Sequence, residues 1–254
     1  MQDYWKRIGL TGPADLFTLV NAHARHIPFE NLSILAGQPI CIDPDSLWSK
    51  MVKGRRGGYC FEQNGLMEVV LTRLGYGVTP LAARVRRGVT EVRPHTHKLL
   101  RVLDQGQDYL VDVGFGGEGP SRPLPWQEGT WELQPGVTHR LVRQEDLWVL
   151  QCQHDGGLWL ELYATDNRPR YPADFEMYNH YTSTFPTSIF VNSMLVSLHT
   201  ERGYHILFDG LLRQRQEGRT KLRRLHSDLE IRAVLDEVFH LQPPPTMRCP
   251  RQER

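Results

Sequence analysis

The spacing of apolar residues predicts a helical first part of the chain. Up to about residue 77, apolar positions recur at intervals of three and four, as expected for helices that bury one face. Asp43 before Pro44 predicts the start of one helix, and Gly75 predicts the end of the helix that follows Cys60. We therefore expect residues 1–77 to form a small helical bundle.

From Val78 onward the apolar runs shorten to the length of strands. Glycine, aspartate and proline separate them, which is typical of antiparallel strands joined by tight turns. The predicted strands are TPLAARV, HKLLRVL, DYLVDVGF, HRLVRQ, LWVLQC, GLWLELY and, later, SIFVNSMLVSLHT and GYHILFDGLLRQRQ.

A last helix is predicted from about Asp228 to Leu241, because Ser227 and Glu230 form a capping box at its start. The tail QPPPTMRCPRQER is rich in proline and basic residues, so we expect it to be disordered. Together these patterns indicate an α+β protein.

Composition excludes several functional classes. The 254 residues are 40% hydrophobic, enough for a globular core, and the formal net charge of +1 offers no general attraction to nucleic acid or to a membrane surface. The chain lacks a signal-peptide pattern and any run of about 18 apolar residues. The four cysteines are scattered, so we predict free thiols in a cytoplasmic protein, with no disulfide framework and no metal site.

The segment GRRGGYCFEQNG indicates a reactive cysteine. Two glycines allow a tight backbone turn just before Cys60, which is predicted to occupy the first turn of a helix. Free N–H groups and the helix dipole favour a thiolate at that position. An inert buried cysteine is the alternative, and the Gly-Gly-Tyr-Cys context makes it the weaker one.

A thiol nucleophile needs a base and a group that orients the base. His97 and Asp112 lie on two runs joined by Asp104-Gln105-Gly106-Gln107, which is typical of a β-hairpin. A two-residue loop would place both side chains on one face as diagonal neighbours, whereas a slip of one residue would separate them. His95, on the same face, is the rival base, and Asp112 as a turn former is the structural alternative.

The same segments resemble the signature of the arylamine N-acetyltransferase family. They cover roughly residues 1–120 in the family's order. The resemblance implies an N-terminal helical bundle (1–77), an antiparallel β-barrel (78–185) and a C-terminal α/β lid (186–254), with a cysteine triad core like that of papain-type proteases and transglutaminases. The matching segments are IPFENL (27–32), RGGYCFEQN (56–64), THKLLRV (96–102) and DVGFG (112–116).

The resemblance also implies roles for individual residues. The acetyl group of acetyl-CoA would pass to Cys60 and then to an arylamine, a hydrazine or an N-hydroxyarylamine, with His97 as the base and Asp112 orienting it. Glu30 and Arg56 would form a buried structural pair, and Asn64 would support the triad. The residues implied to contact substrate or cofactor are Phe29, Gly114 and Phe115.

Coenzyme A carries phosphates, but the chain has neither a P-loop nor a GxGxxG motif. The phosphates would therefore be bound by dispersed cations, either Arg84, Arg86 and Arg87 or the run from Arg213 to Arg224, which is otherwise a solvated helix or loop. Arg93 stands where animal members often carry a small hydroxyl residue. The missing insertion between barrel and lid indicates a bacterial-type member. For the oligomeric state we expect a monomer or a homodimer, and the sequence does not decide between them.

Three alternatives remain at this point. The same triad serves thiol proteases and transglutaminases, so a cysteine hydrolase is the first. A binding protein that has lost catalysis is the second, and the presence of Cys60, His97 and Asp112 disfavours it. The third keeps the chemistry but changes the acyl donor or the acceptor amine.

Overall fold

The computed structural model of the chain describes residues 1–89, 91–134 and 136–247. The last residues of the basic tail, including Cys249, lie outside that description. Among the described residues, none of the helices combines the length and the apolar character that crossing a bilayer requires.

The N-terminal part is helical, as the apolar spacing predicts. The second helix begins at Leu16, because Asp15 Oδ1 accepts a hydrogen bond from Thr18 N at 3.0 Å and so caps it. Gly75 follows the last of these helices with a φ of 88°, which confirms the predicted helix end. The elements are α1 (Gln2–Arg7), α2 (Leu16–His26), α3 (Leu32–Leu35), α4 (Pro44–Leu47), a π-helical segment (Trp48–Lys53) and α5 (Cys60–Arg73).

The middle of the described chain forms an eight-stranded antiparallel sheet. The strand order is β5-β4-β3-β2-β9-β8-β7-β6, and the sheet curls until β5 lies against β7, which gives a nearly closed barrel. This confirms the predicted α+β class. The strands are β2 (Gly77–Val85), β3 (His97–Asp104), β4 (Gln107–Val111), β5 (Leu124–Pro125), β6 (Trp131–Gln134), β7 (Val137–Gln144), β8 (Leu147–Gln153) and β9 (Leu160–Thr165).

A second sheet joins the two ends of the described chain. Its order is β1-β10-β11-β12-β13, so the short strand β1 from the helical part pairs with β10 more than 160 residues later. The arginine-rich run from Arg213 to Arg224 is the β12–β13 hairpin: β12 lies within the predicted strand GYHILFDGLLRQRQ, whereas β13 takes the place of the predicted helix or loop. The strands are β1 (Phe29–Glu30), β10 (Leu195–Thr200), β11 (Gly203–Phe208), β12 (Leu211–Gln216) and β13 (Arg219–Arg224).

Two helices were not predicted from the sequence. Helix α6 (Pro172–Thr184) lies in a segment for which neither a helix nor a strand was predicted, and α7 (Ile189–Asn192) occupies the first half of a segment that was wrongly predicted as a strand. Of the α6 side chains only Phe175, Asn179 and Thr182 are buried, too few apolar positions to produce a helical period. The predicted domain boundaries stay predictions.

The end of the described chain is packed against α8 (Asp228–Glu237). Ser227 caps this helix by accepting from Glu230 N at 3.2 Å, but the helix ends four residues before Leu241. Residues 242–247 were predicted to be disordered, which is wrong, since Met247 is only 5% exposed and belongs to the core formed by α8 and the second sheet.

We expect Met247→Ala to lower the free energy of unfolding by about 2 kcal/mol, because it removes a buried side chain from that core. The matched control is Thr246→Ala, an exposed neighbour, with an expected change within about 0.5 kcal/mol. Denaturant unfolding measures both. Equal effects of the two substitutions would show that the tail does not stabilise the fold.

Candidate active site

Cys60 is the first residue of α5, as predicted. The approach to it requires glycine, because a Cβ on Gly57 would lie 2.1 Å from the Pro28 carbonyl oxygen and a Cβ on Gly58 2.8 Å from Glu62 Cβ. The chain can therefore run close beside β1 and turn directly into the helix. The Cys60 thiol is buried, and it donates to the carbonyl oxygen of Thr96 at 3.5 Å.

The β3–β4 hairpin has the predicted register. Gln105 and Gly106, with φ of 49° and 82°, form the two-residue loop, and Asp104 pairs with Gln107. His97 Nε2 lies 2.7 Å from Asp112 Oδ2, which confirms the predicted contact.

The rival histidine lies elsewhere. His95 precedes β3, is half-buried and places its ring against Tyr178, with the ring centroids 5.7 Å apart. Of the two histidines that the sequence offered, the structure therefore brings His97 to Asp112.

The buried pair shifts the pKa of both partners toward the charged forms. For His97 burial lowers the pKa, but Asp112 and the adjacent Cys60 thiol raise it by more, to about 10. For Asp112 burial raises the pKa, but His97 and the N–H donors of Asn64 and Gly114 lower it by more. The pair therefore favours a carboxylate beside an imidazolium.

Asn64 connects the helix of the thiol to the hairpin of the histidine. It lies one turn after Cys60, on the same face of α5. Its Nδ2 donates to Asp112 Oδ1 at 2.8 Å and to the Lys98 carbonyl at 2.6 Å, while its Oδ1 accepts from Val113 N at 3.0 Å. The predicted support by Asn64 is therefore present as three hydrogen bonds.

Glu30 and Arg56 form the buried pair that the resemblance implies. Their closest oxygen and nitrogen are 2.7 Å apart, and the two side chains are 0% and 17% exposed, so this is not a surface ion pair. Glu30 Oε2 also accepts from Leu32 N at 2.6 Å. The pair joins β1 to the turn before Cys60.

Sequence reasoning missed two buried polar groups beside the site. Gln63 Nε2 donates to the carbonyls of Ile27 and Pro28, and Gln63 Oε1 lies 2.7 Å from His23 Nε2. Tyr163 places its ring 4.8 Å from that of His97. Gln63 stands inside the quoted RGGYCFEQN segment, which was a usable signal, whereas nothing local distinguishes Tyr163 from other strand residues.

The two aromatic residues predicted to contact substrate or cofactor occupy different environments. Phe115 is partly exposed, and its ring lies edge-on to His97 at 5.3 Å and 89°. Phe29 is 4% exposed and packs against Phe190. A Cβ on Gly114 would lie 2.9 Å from Cys60 Cα, so packing already explains this glycine, and its contact with a cofactor stays a prediction.

Most of the candidate CoA-binding arginines already have partners. Arg86 contacts Gln144 and Glu161, and Arg84 donates to the Arg93 carbonyl. Arg87 and Arg213 both pair with the carboxylate of Glu118, at 2.8 and 3.4 Å. Their binding of CoA phosphates stays a prediction.

The fold and comparisons with known proteins define the class as an acetyltransferase. A family model described as N-acetyltransferase matches residues 14–244. The chain belongs to the arylamine N-acetyltransferase family.

Three relatives illustrate the similarity. The arylamine N-acetyltransferase of Mycolicibacterium smegmatis is 38% identical over 248 residues, covering 93% of this chain and 89% of the relative. The arylamine N-acetyltransferase / N-hydroxyarylamine O-acetyltransferase of Salmonella typhimurium is 35% identical over 197 residues, covering 77% and 70%. The solved Mycobacterium marinum arylamine N-acetyltransferase in complex with CoA is 34% identical, with a TM-score of 0.90 over 94% of this chain and 92% of that one.

Arg56→Met should lower the free energy of unfolding by about 3 kcal/mol, because it leaves the buried Glu30 carboxylate without its guanidinium partner. Arg25→Met, which breaks an exposed pair with Glu201, serves as the control and should cost less than about 1 kcal/mol. Chemical denaturation at neutral pH measures both. Comparable decreases in the free energy of unfolding would mean that the buried Glu30–Arg56 pair contributes no more to stability than an exposed pair does.

The raised pKa of His97 predicts a pH-dependent contribution to stability. The folded chain binds the imidazole proton more tightly than the unfolded chain does, so this stabilisation is complete below about pH 6.5 and is lost as the pH rises through about 10. In a Cys60→Ala background, the cost of His97→Gln should therefore be larger at about pH 6 than at about pH 9.5.

Unfolding curves at both pH values measure this difference. His226→Gln, at an exposed position, is the control and should cost the same at either pH. A cost of His97→Gln that does not change with pH would contradict the raised pKa.

Proposed function

We propose that the chain transfers acetyl from acetyl-CoA to arylamines and arylhydrazines, and to the oxygen of N-hydroxyarylamines, through an acetylated Cys60. The observation that carries the proposal is the buried contact of His97 Nε2 with Asp112 at 2.7 Å, together with a Cys60 thiol that contributes to raising the pKa of His97. The CoA complex of the M. marinum enzyme and the two activities in the S. typhimurium name support the donor and the acceptors.

In the first half-reaction, His97 acts through its second ring nitrogen. Because Asp112 holds Nε2, Nδ1 faces the thiol and accepts its proton. The Cys60 thiolate attacks the carbonyl carbon of acetyl-CoA, a new C–S bond forms, and the bond from that carbon to the CoA sulfur breaks. The departing CoA thiolate takes the proton from the imidazolium, which leaves acetyl-Cys60 and a neutral His97.

In the second half-reaction, the amine nitrogen attacks the acetyl-Cys60 carbonyl. His97 accepts a proton from the attacking amine, the C–S bond to Cys60 breaks, and the thiolate is restored beside the imidazolium. Asp112 stays ionised throughout and stabilises the imidazolium at each stage. The two half-reactions give ping-pong kinetics.

Aromatic side chains around His97 favour transfer over hydrolysis. The partly exposed Phe115 ring and the buried Tyr163 ring both contact the imidazole, and such apolar surroundings disfavour water beside a thioester. An aromatic amine would stack against these rings, whereas a water molecule would find few hydrogen-bond partners there. A cysteine hydrolase with the same triad is the alternative, and it requires water as the acceptor.

The remaining sequence predictions belong to this proposal. They are the likeness of the triad to that of papain-type proteases and transglutaminases, the C-terminal α/β lid (186–254), a monomeric or homodimeric state, and a cytoplasmic location with a role in the metabolism of foreign amines. We propose no nucleic-acid or membrane partner.

Brief mixing with acetyl-CoA in the absence of an amine should add one acetyl group, as measured by mass spectrometry of the intact protein. Peptide mapping should locate this group on Cys60. An arylamine should discharge it to give the N-acetyl product. Cys60→Ala should not be labelled, whereas Cys41→Ser, at an exposed cysteine, should be labelled normally. Labelling that survives Cys60→Ala would contradict the mechanism, and discharge by water as fast as by amine would favour the hydrolase.

A further inference from the structure

A second group of chemically reactive side chains lies outside the proposed acetyl-transfer residues. One ligand atom each from Glu118, Cys152 and His154 lies within 4.8 Å of the other two. Glu118 belongs to the loop after Asp112, Cys152 lies on β8, and His154 follows that strand. A carboxylate oxygen, a sulfur and an imidazole nitrogen thus converge on one point.

Two of the three residues are buried, and the third, His154, is partly exposed. Cys152 is 0% exposed and Glu118 is 5% exposed. Glu118 Oε2 lies 2.8 Å from Arg87 Nη2, so its charge is paired, whereas His154 Nε2 is buried and forms no hydrogen bond of good geometry with a described residue. A buried ring nitrogen without a hydrogen bond is costly, so the position of His154 Nε2 beside Glu118 and Cys152 requires an explanation.

Hydrogen bonds from neighbouring residues orient His154 and the loop of Glu118, as is usual for residues that bind a metal ion. His154 Nδ1 lies 3.3 Å from the Gly136 carbonyl oxygen, to which it donates as an N–H, and this directs Nε2 toward the other two groups. His139 Nε2 lies 2.7 Å from the backbone oxygen of Glu118 and holds the loop in place. Both contacts orient a ligand residue and leave its metal-binding atom free of that contact.

The spacing suits a small tetrahedral ion. His154 Nε2 and Glu118 Oε1 are 3.7 Å apart. Ligands at the usual zinc distances of about 2.0 to 2.3 Å are separated by about 3.3 to 3.8 Å across a tetrahedral edge. Modest side-chain movement would therefore bring all three atoms to bonding distance.

We propose that Glu118, Cys152 and His154 form a binding site for a divalent cation of zinc type, with three protein ligands and one open position. A thiolate, an imidazole and a carboxylate together select zinc or a similar borderline-soft ion over magnesium or calcium. The scattered cysteines of the sequence gave no sign of such a site, because its ligands come from a loop and a strand that only the fold brings together.

The positive charges of two arginines beside Glu118 oppose the binding of a cation, but these side chains can move away. Arg87 and Arg213 pair with Glu118, but their side chains are 51% and 41% exposed, so either can turn toward solvent. Binding releases the thiol proton of Cys152 and any second proton on His154 to solvent. The charge of the divalent cation therefore replaces the charge of the released protons. One carboxylate oxygen of Glu118 binds the cation, and the other can still pair with an arginine.

A bound ion would connect the loop that carries Phe115 to β8. Glu118 lies three residues after Phe115, and Cys152 and His154 lie on the adjoining part of the barrel. The ion would therefore hold the loop that carries Phe115 in a fixed position relative to the barrel. It would not take part in the acetyl transfer.

The test must exclude the proposed triad, which also combines a cysteine, a histidine and a carboxylate. Replacing Cys41 and Cys249 by Ser and Cys60 by Ala leaves Cys152 as the only one of the four cysteines. This single-cysteine chain is titrated with Co²⁺, whose bond to a thiolate gives an absorption band in the near ultraviolet, and Zn²⁺ is then added as competitor. Circular dichroism checks that each variant is folded.

We expect one equivalent of Co²⁺ to produce the thiolate band and Zn²⁺ to abolish it. Adding Cys152→Ser should remove the band. His154→Gln should weaken binding by more than about 100-fold, because loss of a ligand exceeds the roughly 10- to 100-fold cost of changing its surroundings. Since His154 is partly exposed, that variant keeps the test decisive if Cys152→Ser does not fold.

His226→Gln, at an exposed histidine, is the matched control and should leave the titration unchanged. Absence of the band in the folded single-cysteine chain would overturn the proposal. Equal affinity in the His154→Gln and His226→Gln variants would overturn it as well.

Discussion

The structure depends most on the buried amide of Asn64. It is the point at which α5, carrying Cys60, is tied to the hairpin of His97 and Asp112 through three hydrogen bonds. A buried amide satisfied on both its oxygen and its nitrogen permits one arrangement of its neighbours, because any displacement leaves a polar group unpaired. The distance between the thiol and the imidazole is therefore set by an interaction that touches neither of them.

The other polar residues near Cys60 act in the same way on the segments around the helix start. Gln63 binds the carbonyls before β1, Glu62 pairs with Lys50 of the π-helical segment at 2.7 Å, and Arg56 pairs with Glu30 of β1. Each contact joins a segment of the helical part to the turn at Cys60. Because β1 also pairs with β10, the same contacts connect the site to the C-terminal sheet.

Two groups of cysteine, histidine and carboxylate residues show that geometry, and not residue type, decides the chemistry. In the first, the carboxylate of Asp112 binds Nε2 of His97, which leaves Nδ1 for the proposed proton transfer from the thiol. In the second, Glu118, Cys152 and His154 all direct one atom to a common point. The first arrangement suits proton transfer, and the second suits a metal ion.

The sequence by itself determined the class of fold, the hairpin register and the contact of His97 with Asp112, because a two-residue turn and a period of two are local properties. It also identified Asn64 and the Glu30–Arg56 pair through family resemblance. Only the tertiary structure decided helix α6, the packing of Met247, the pairing of β1 with β10 and the convergence of Glu118 with β8. These depend on contacts between distant residues, which the spacing of apolar positions along one segment does not encode.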